Sequence, residues 1–428
     1  MAVAAEAEIA DPALSRSMSA ARANHFFYEG RLDDALELLE PLLEADNVTY
    51  ADAALPASVT MALAGRTADA VTVATRGADA RHTLGDTVEL AGSEIYLVAQ
   101  ATALTEAGRL REAEDLARLG YEGATELGAV QGQAWLASLL GRVYLHQGRA
   151  ASAARWGREA GVLWRELRHP AARWGLGAMA FATAMSGDTD GAERAYAEVD
   201  SEPPTPVRVF DPEIDRGRAV AAAHAGDRPR ALALLEDVAA RAESGGGWSF
   251  AAAAVHDLCR LGEVRTAGPR LTAMAERVDG DMMKARLAHV AALAVEDADG
   301  LDTAADAFDE VGALLLAAEA ALAAAALHDA AGMQRKAATS KRRGWALLDA
   351  CEGFRPLGVT VSDGPATLTP REREIATLAA RGMASKEIAT TLVVSPRTVN
   401  NHLQRIYDKL GVRRRAELAE ALDLPDDS

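Results

Sequence analysis

The 428-residue chain carries 63 acidic against 45 basic side chains, a formal charge of −18, with 49% apolar and only 5% aromatic residues. That acidity excludes nonspecific coating of nucleic acid by the whole chain, and two cysteines, Cys259 and Cys351, exclude a disulfide framework. Ala-rich, aromatic-poor sequence favours closely packed helices over sheets. The charge is uneven: residues 368–422 hold ten Lys/Arg and six Asp/Glu, a net of +4 that leaves −22 on the remainder. An acidic body with a basic C-terminal end fits local contact with DNA by that end.

The N-terminus has no basic stretch followed by an apolar run, so no signal peptide is expected. The most apolar segment, residues 311–327, is mostly Ala and contains Glu319, so no membrane span is expected. A cytoplasmic location follows as the default.

From residue 12 onward a Gly followed five residues later by Ala recurs nine times: Gly30/Ala35, Gly65/Ala70, Gly108/Ala113, Gly148/Ala153, Gly187/Ala192, Gly226/Ala231, Gly262/Ala267, Gly300/Ala305 and Gly332/Ala337. Each Gly separates two apolar-periodic stretches. Glycine reaches the left-handed conformation that ends a helix, and the Ala methyl lets the next helix approach closely. Each unit reads as a helical hairpin that buries its apolar face only when stacked on neighbours. The pattern, best seen in Tyr28-Glu29-Gly30-Arg31-Leu32-Asp33-Asp34-Ala35-Leu36, resembles the tetratricopeptide (TPR) superfamily, although most units exceed its 34-residue period. The expectation is an all-α, TPR-like solenoid of about nine hairpins over residues 1–351; an irregular Ala-rich bundle is the alternative.

Within this array Trp135, Trp156, Trp164 and Trp174 cluster with Arg155, Arg158, Arg165, Arg168 and Arg173. Flat side chains beside guanidinium groups suit a groove for a peptide, a partner helix or an anionic ligand, and suit interlayer packing equally. The candidate groove is Trp135, Trp156, Trp164, Arg165 and Trp174. His25-Phe26-Phe27-Tyr28 is a second candidate, read as core. Arg335, Lys336, Lys341, Arg342 and Arg343 make the last repeat basic, for phosphate contact, for pairing with the acidic body, or as a solvated face. Residues 352–367, with Gly353, Pro356, Gly358, Gly364 and Pro365, read as a linker.

Three short helices are predicted beyond it. Thr369-Pro370-Arg371-Glu372 begins the first, with Thr as N-cap and Pro at the first helical position; Gly382 ends it. The second spans about 385–392. Ser395-Pro396 starts the third, about 396–410, in which Val399, Leu403, Ile406 and Leu410 form one apolar stripe. Arg397, Asn400, Asn401 and Gln404 fall on the other side. Amides both donate and accept, which matches adenine N6 and N7 in the major groove. A fourth helix, about 413–422, follows Arg413-Arg414-Arg415, three cations that oppose the helix dipole and suit phosphates.

Leu368-Thr369-Pro370-Arg371-Glu372-Arg373-Glu374-Ile375, Lys386-Glu387-Ile388-Ala389, Ser395-Pro396-Arg397-Thr398-Val399, His402-Leu403 and Lys409-Leu410-Gly411-Val412 resemble the LuxR-type DNA-binding domain nearly end to end. The resemblance implies a four-helix domain at 368–424, followed by a tail at 425–428, whose third helix enters the major groove and whose fourth often serves dimerisation. It assigns base reading to Asn400, Asn401 and Gln404. Lys386, Arg397, Thr398, Arg405, Lys409, Arg413, Arg414 and Arg415 are the candidates for the DNA backbone. Many relatives carry a basic residue at the position of Asn400 or Gln404; amides here imply a different preferred base.

The chain as a whole is similar to the C-terminal part of the large MalT-like, ATP-dependent LuxR regulators. No G-x-x-x-x-G-K-[ST] occurs in it, so no phosphate-binding loop is expected, nor a cofactor. No H-E-x-x-H, G-x-S-x-G or Cys-x-x-Cys is present, so no enzyme and no metal site are expected. The expected function is a homodimeric, sequence-specific transcription regulator of double-stranded DNA, controlled by a small-molecule or protein effector at the repeats, with RNA polymerase as a further partner. The alternative is an interaction scaffold that uses the helix-turn-helix for docking or dimerisation.

Overall fold

The computed structural model describes residues 12–44, 47–84, 94–203, 205–357, 370–392, 394–410, 412, 414–418 and 422. Among them there is no strand. The fold is a TPR-like helical-hairpin solenoid followed by a small helix-turn-helix unit. The hairpins are α1 (Pro12–Glu29) with α2 (Leu32–Leu39), α3 (Asn47–Leu63) with α4 (Thr67–Leu84), α5 (Glu94–Ala107) with α6 (Leu110–Glu126), and α7 (Val130–Gln147) with α8 (Ala150–Glu166). Then come α9 (Ala172–Met185) with α10 (Thr189–Ser201), α11 (Asp211–His224) with α12 (Arg228–Ser244), and α13 (Trp248–Arg260) with α14 (Val264–Met274). The last are α15 (Asp281–Ala294) with α16 (Ala298–Glu310), and α17 (Leu314–Ala330) with α18 (Gln334–Ala350).

The turn inside each hairpin follows from local chemistry. At the first, Gly30 N–H donates to the Phe27 carbonyl and Arg31 N–H to that of Phe26, at 3.0 and 2.9 Å. These two bonds close a Schellman motif and satisfy carbonyls that the helix end would orphan. Eight of the nine repeat glycines take positive φ there. The following alanines at 35, 70, 113, 153, 192 and 231 are fully covered, as close helix approach requires.

Gly300 is the exception, and a correction. It lies inside α16, and the left-handed residue before that helix is Glu296, at φ 54°. The residue five beyond Glu296 is Leu301, which is fully buried. The Gly300/Ala305 pair therefore sits about one helical turn out of register, because a search keyed on glycine passes over a glutamate in the same conformation.

The stack curves back on itself, so turns meet segments far along the chain. Leu32 N–H donates to the Gly245 carbonyl at 2.7 Å, and Asp279 N–H to that of Gly65 at 3.0 Å. At Gly148, with φ +80°, a Cβ would fall 2.6 Å from Leu315 Cβ and 2.9 Å from its amide nitrogen. Only glycine permits both this backbone conformation and this approach.

The start of the predicted linker is also corrected. Ala150 N–H donates to the Cys351 carbonyl at 3.1 Å, and Arg355 N–H to that of Met185 at 2.8 Å. Glu352 accepts from Ser152 N–H at 2.7 Å and Arg149 Nε at 2.9 Å. Phe354 and Leu357 are buried. Gly353 and Pro356 shape a docked strap, and residues 358–367 lie outside the described ones.

Candidate nucleic-acid interface and inner recess

The C-terminal unit is built from α19 (Pro370–Ala380), α20 (Ser385–Thr391) and α21 (Pro396–Leu410). Ser395 Oγ accepts from Thr398 N–H at 3.0 Å, an N-cap with Pro396 as the first helical residue. Glu387 Oε2 accepts from Ala384 N–H at 2.7 Å at the start of α20. Val399, Leu403 and Ile406 are buried against Ile375, Ala376, Ala379, Ile388, Ala389 and Leu418. This apolar contact fixes how α21 rolls on α19 and α20.

With that side anchored, Arg397, Asn400 and Gln404 are exposed. Lys386 is exposed at the start of α20, and Arg414 is 80% exposed with Glu417 at 3.2 Å. Thr398 is half-buried, its hydroxyl 2.7 Å from Ser395 Oγ. The side chains of Asn401, Arg405 and Lys409, and all of Arg413, lie outside the described residues, as do Thr369 and much of the expected fourth helix; a short 3-10 turn, Arg415–Glu417, stands at its start.

Arg415 departs from its expected place. Its Nε donates to the Ala379 carbonyl at 3.1 Å and its Nη2 to that of Met383. It joins the C-terminal end of α19 to the turn after it, beside the bond from Gly382 N–H to the Ala379 carbonyl at 3.0 Å, and so points inward rather than to phosphate. The basic residues of α18 divide similarly. Lys336 pairs with Asp299 at 2.6 Å and Arg343 with Asp306, so these two serve the acidic body; Arg335, Lys341 and Arg342 are exposed.

The tryptophan cluster does not form one groove. Trp164 is fully buried and donates Nε1–H to Ser138 Oγ at 2.9 Å. Trp156 packs edge-on against Tyr121, at 4.8 Å between centroids. Arg165 is exposed and held by Glu198 and Glu202 at 2.7 Å each. Trp135 and Trp174, 5.5 Å apart, do meet at an inner recess of about 110 Å³. Its walls come from the first helices of six hairpins, among them Tyr28, Pro56, Phe181 and Ile214, with Phe210 just before α11. Tyr28, read from sequence as core, thus faces this space.

Sequence reasoning missed the polar wall of the recess. Arg142 Nε donates to both carboxylate oxygens of Glu213, at 2.9 and 3.1 Å, and Nη2 reaches Glu106 at 2.9 Å. Burial opposes Glu213's charge, but Arg142 and His146 outweigh it and hold the carboxyl well below its ordinary range. The signal was present: Arg142 interrupts the apolar run from Leu139 to Leu145, and a charged residue there needs a buried partner. Trp174 Nε1 and Arg142 Nη1 have no hydrogen-bond partner among the described residues.

Residues 366–422 match the family model "Bacterial regulatory proteins, luxR family". This segment is a LuxR-family helix-turn-helix domain. Similar proteins include Mb0914c of Mycobacterium bovis, named as an HTH-type transcriptional regulator, at 46% identity over 57 residues. That alignment covers 13% of this chain and only 6% of the mycobacterial one. Another is the transcriptional regulatory protein UhpA of Escherichia coli, 49% identical over 55 residues, covering 13% of this chain and 28% of UhpA. The chain also overlays on the crystal structure of a Rap protein complexed with Competence and Sporulation Factor, at 16% identity and a TM-score of 0.48, covering 66% of this chain and 76% of that one.

Proposed function

We propose that this chain, carrying a LuxR-family helix-turn-helix at residues 366–422, is a sequence-specific transcriptional regulator that binds duplex DNA as a homodimer in the bacterial cytoplasm. Asn400, Asn401 and Gln404 read bases in the major groove. Lys386, Arg397, Thr398, Arg405, Lys409, Arg413 and Arg414 position the domain on phosphates. Arg415 leaves that set, because its guanidinium is spent on α19. The observation that supports this reading best is the exposure of Asn400 and Gln404 on the side of α21 away from buried Val399, Leu403 and Ile406.

Output is set by an effector at the inner recess. A ligand there touches the first helices of six hairpins at once, so it acts on the curvature of the whole stack. It controls DNA binding only in so far as it binds two arrangements of that stack unequally. Capture of genomic fragments by the full chain, with and without extract of the source cells, tests both parts. Enrichment of one sequence class is expected, with a changed yield when extract is added. No enrichment removes the DNA reading; enrichment indifferent to extract removes the effector.

A further inference from the structure

A second inner compartment adjoins the aromatic recess, with Phe181 and Glu213 lining both. It too is walled by first helices, and Arg216, Arg260 and Arg286 converge on it. Their partners are unequally shared. Arg260 takes Glu319, at 2.7 and 2.6 Å, and Asp257, at 2.5 Å. Arg216 shares Asp257 through Nε, also at 2.5 Å. On the recess side Arg142 holds both Glu213 and Glu106.

Arg286 is left over. It is 6% exposed, its Nε is buried with no partner, and it forms no hydrogen bond or ion pair among the described residues. Burial and neighbouring Arg216 push its guanidinium down to about 10, against a weaker opposing pull from Glu106 and Asp257. A buried cation without a hydrogen-bonded counter-charge is costly, so a native structure that keeps one calls for an explanation. Among the residues that line this compartment, Arg216, Arg260 and Arg286 stand beside one carboxylate, Glu213, which is itself held by Arg142. Arg286 alone of these three has no hydrogen-bonded carboxylate among the described residues.

We infer that the Arg286 compartment takes the anionic group, a carboxylate or a phosphate monoester, of an amphipathic ligand whose apolar body lies against Trp135, Trp174 and Phe210. The inference rests on the effector reading above for its purpose but not for its chemistry. The shared wall at Phe181 and Glu213 places the two subsites side by side, and a planar guanidinium suits either oxyanion.

Calorimetric titration of the full chain with octanoate, octyl phosphate and octanamide is the test. At least one anion should bind about tenfold or more tighter than octanamide, the factor that one charge-assisted hydrogen bond confers. The tighter of the two names the natural group. Arg286→Met should remove that preference and leave octanamide binding unchanged, while Arg286→Lys keeps part of it. Because Arg286→Met removes an unpaired buried charge, its Tm should equal or exceed that of the wild type. Octanamide binding as tightly as both anions, no binding of any probe, or a preference that survives Arg286→Met would overturn the site. Anion binding that leaves DNA affinity unchanged keeps the site and removes the effector reading instead.

Discussion

His256 and His289 share one hydrogen bond, Nε2 to Nδ1 at 3.0 Å, with Phe308 against both rings. Burial, with Arg260 adding to it, drives His289 down to about 3; burial and His289 hold His256 well below its ordinary value. Both are therefore neutral in the folded chain. Below about pH 6.5 the unfolded chain takes up protons that the folded pair refuses, so stability falls as pH drops towards the folded values. Urea unfolding should show a midpoint that declines from pH 7 to pH 5, and a shallower decline in the double variant His256→Leu/His289→Leu. An equal slope in both proteins would assign the acid sensitivity elsewhere. Arg415 carries a second residue-scale expectation. Arg415→Ala removes the guanidinium's bonds to the Ala379 and Met383 carbonyls, at about 1–3 kcal/mol, so amides at the end of α19 should exchange faster in the full chain. Unchanged exchange there would mean that Arg415 is available to phosphate after all.

At the scale of elements, two turns make opposite predictions. Gly148→Ala puts a methyl into Leu315 at a positive φ, so it should cost more than about 2 kcal/mol. Glu296→Gly relieves a left-handed glutamate and should stabilise by up to about 1 kcal/mol. Thermal unfolding of the two variants checks both signs, and a stabilising Gly148→Ala would refute the close approach of the two turns. These elements also mark what the sequence made legible. The α21 stripe at Val399, Leu403 and Ile406 was readable because helical period and burial coincide within 15 residues. The hairpin turns were readable because glycine is the usual solution to a left-handed cap. Glu296 was not, since it solves the same problem without that signature. Arg415 was not, because its acceptors lie 32 and 36 residues away.

Across the whole molecule, closure of the stack is what sequence could not convey. Gly65 meets Asp279, Gly148 meets Leu315, and the strap at Glu352–Leu357 returns to Arg149, Ser152 and Glu319. Each contact joins residues that no local period relates. The inner recess depends on that curvature, since its walls come from six hairpins. Of the four clustered tryptophans, Trp135 and Trp174 line the recess, and Trp164 is buried away from it. Charge, by contrast, was legible at this scale. The acidic body spends many of its arginines and two of its lysines on internal ion pairs, as at Arg165, Arg343, Lys284 and Lys336, and Arg397, Lys386 and Arg414 stay exposed in the basic C-terminal unit.

The most direct check is a titration of the full chain, wild type and variants, against its captured fragment and single-base substitutions of it, over a range of salt. Asn400→Ala and Gln404→Ala should each lose about 1–3 kcal/mol on the captured sequence and relax the preference at one position. Arg414→Ala should weaken every sequence alike and lower the salt slope by about 1. Loss of the same size on all sequences from Asn400→Ala and Gln404→Ala would contradict base reading by α21.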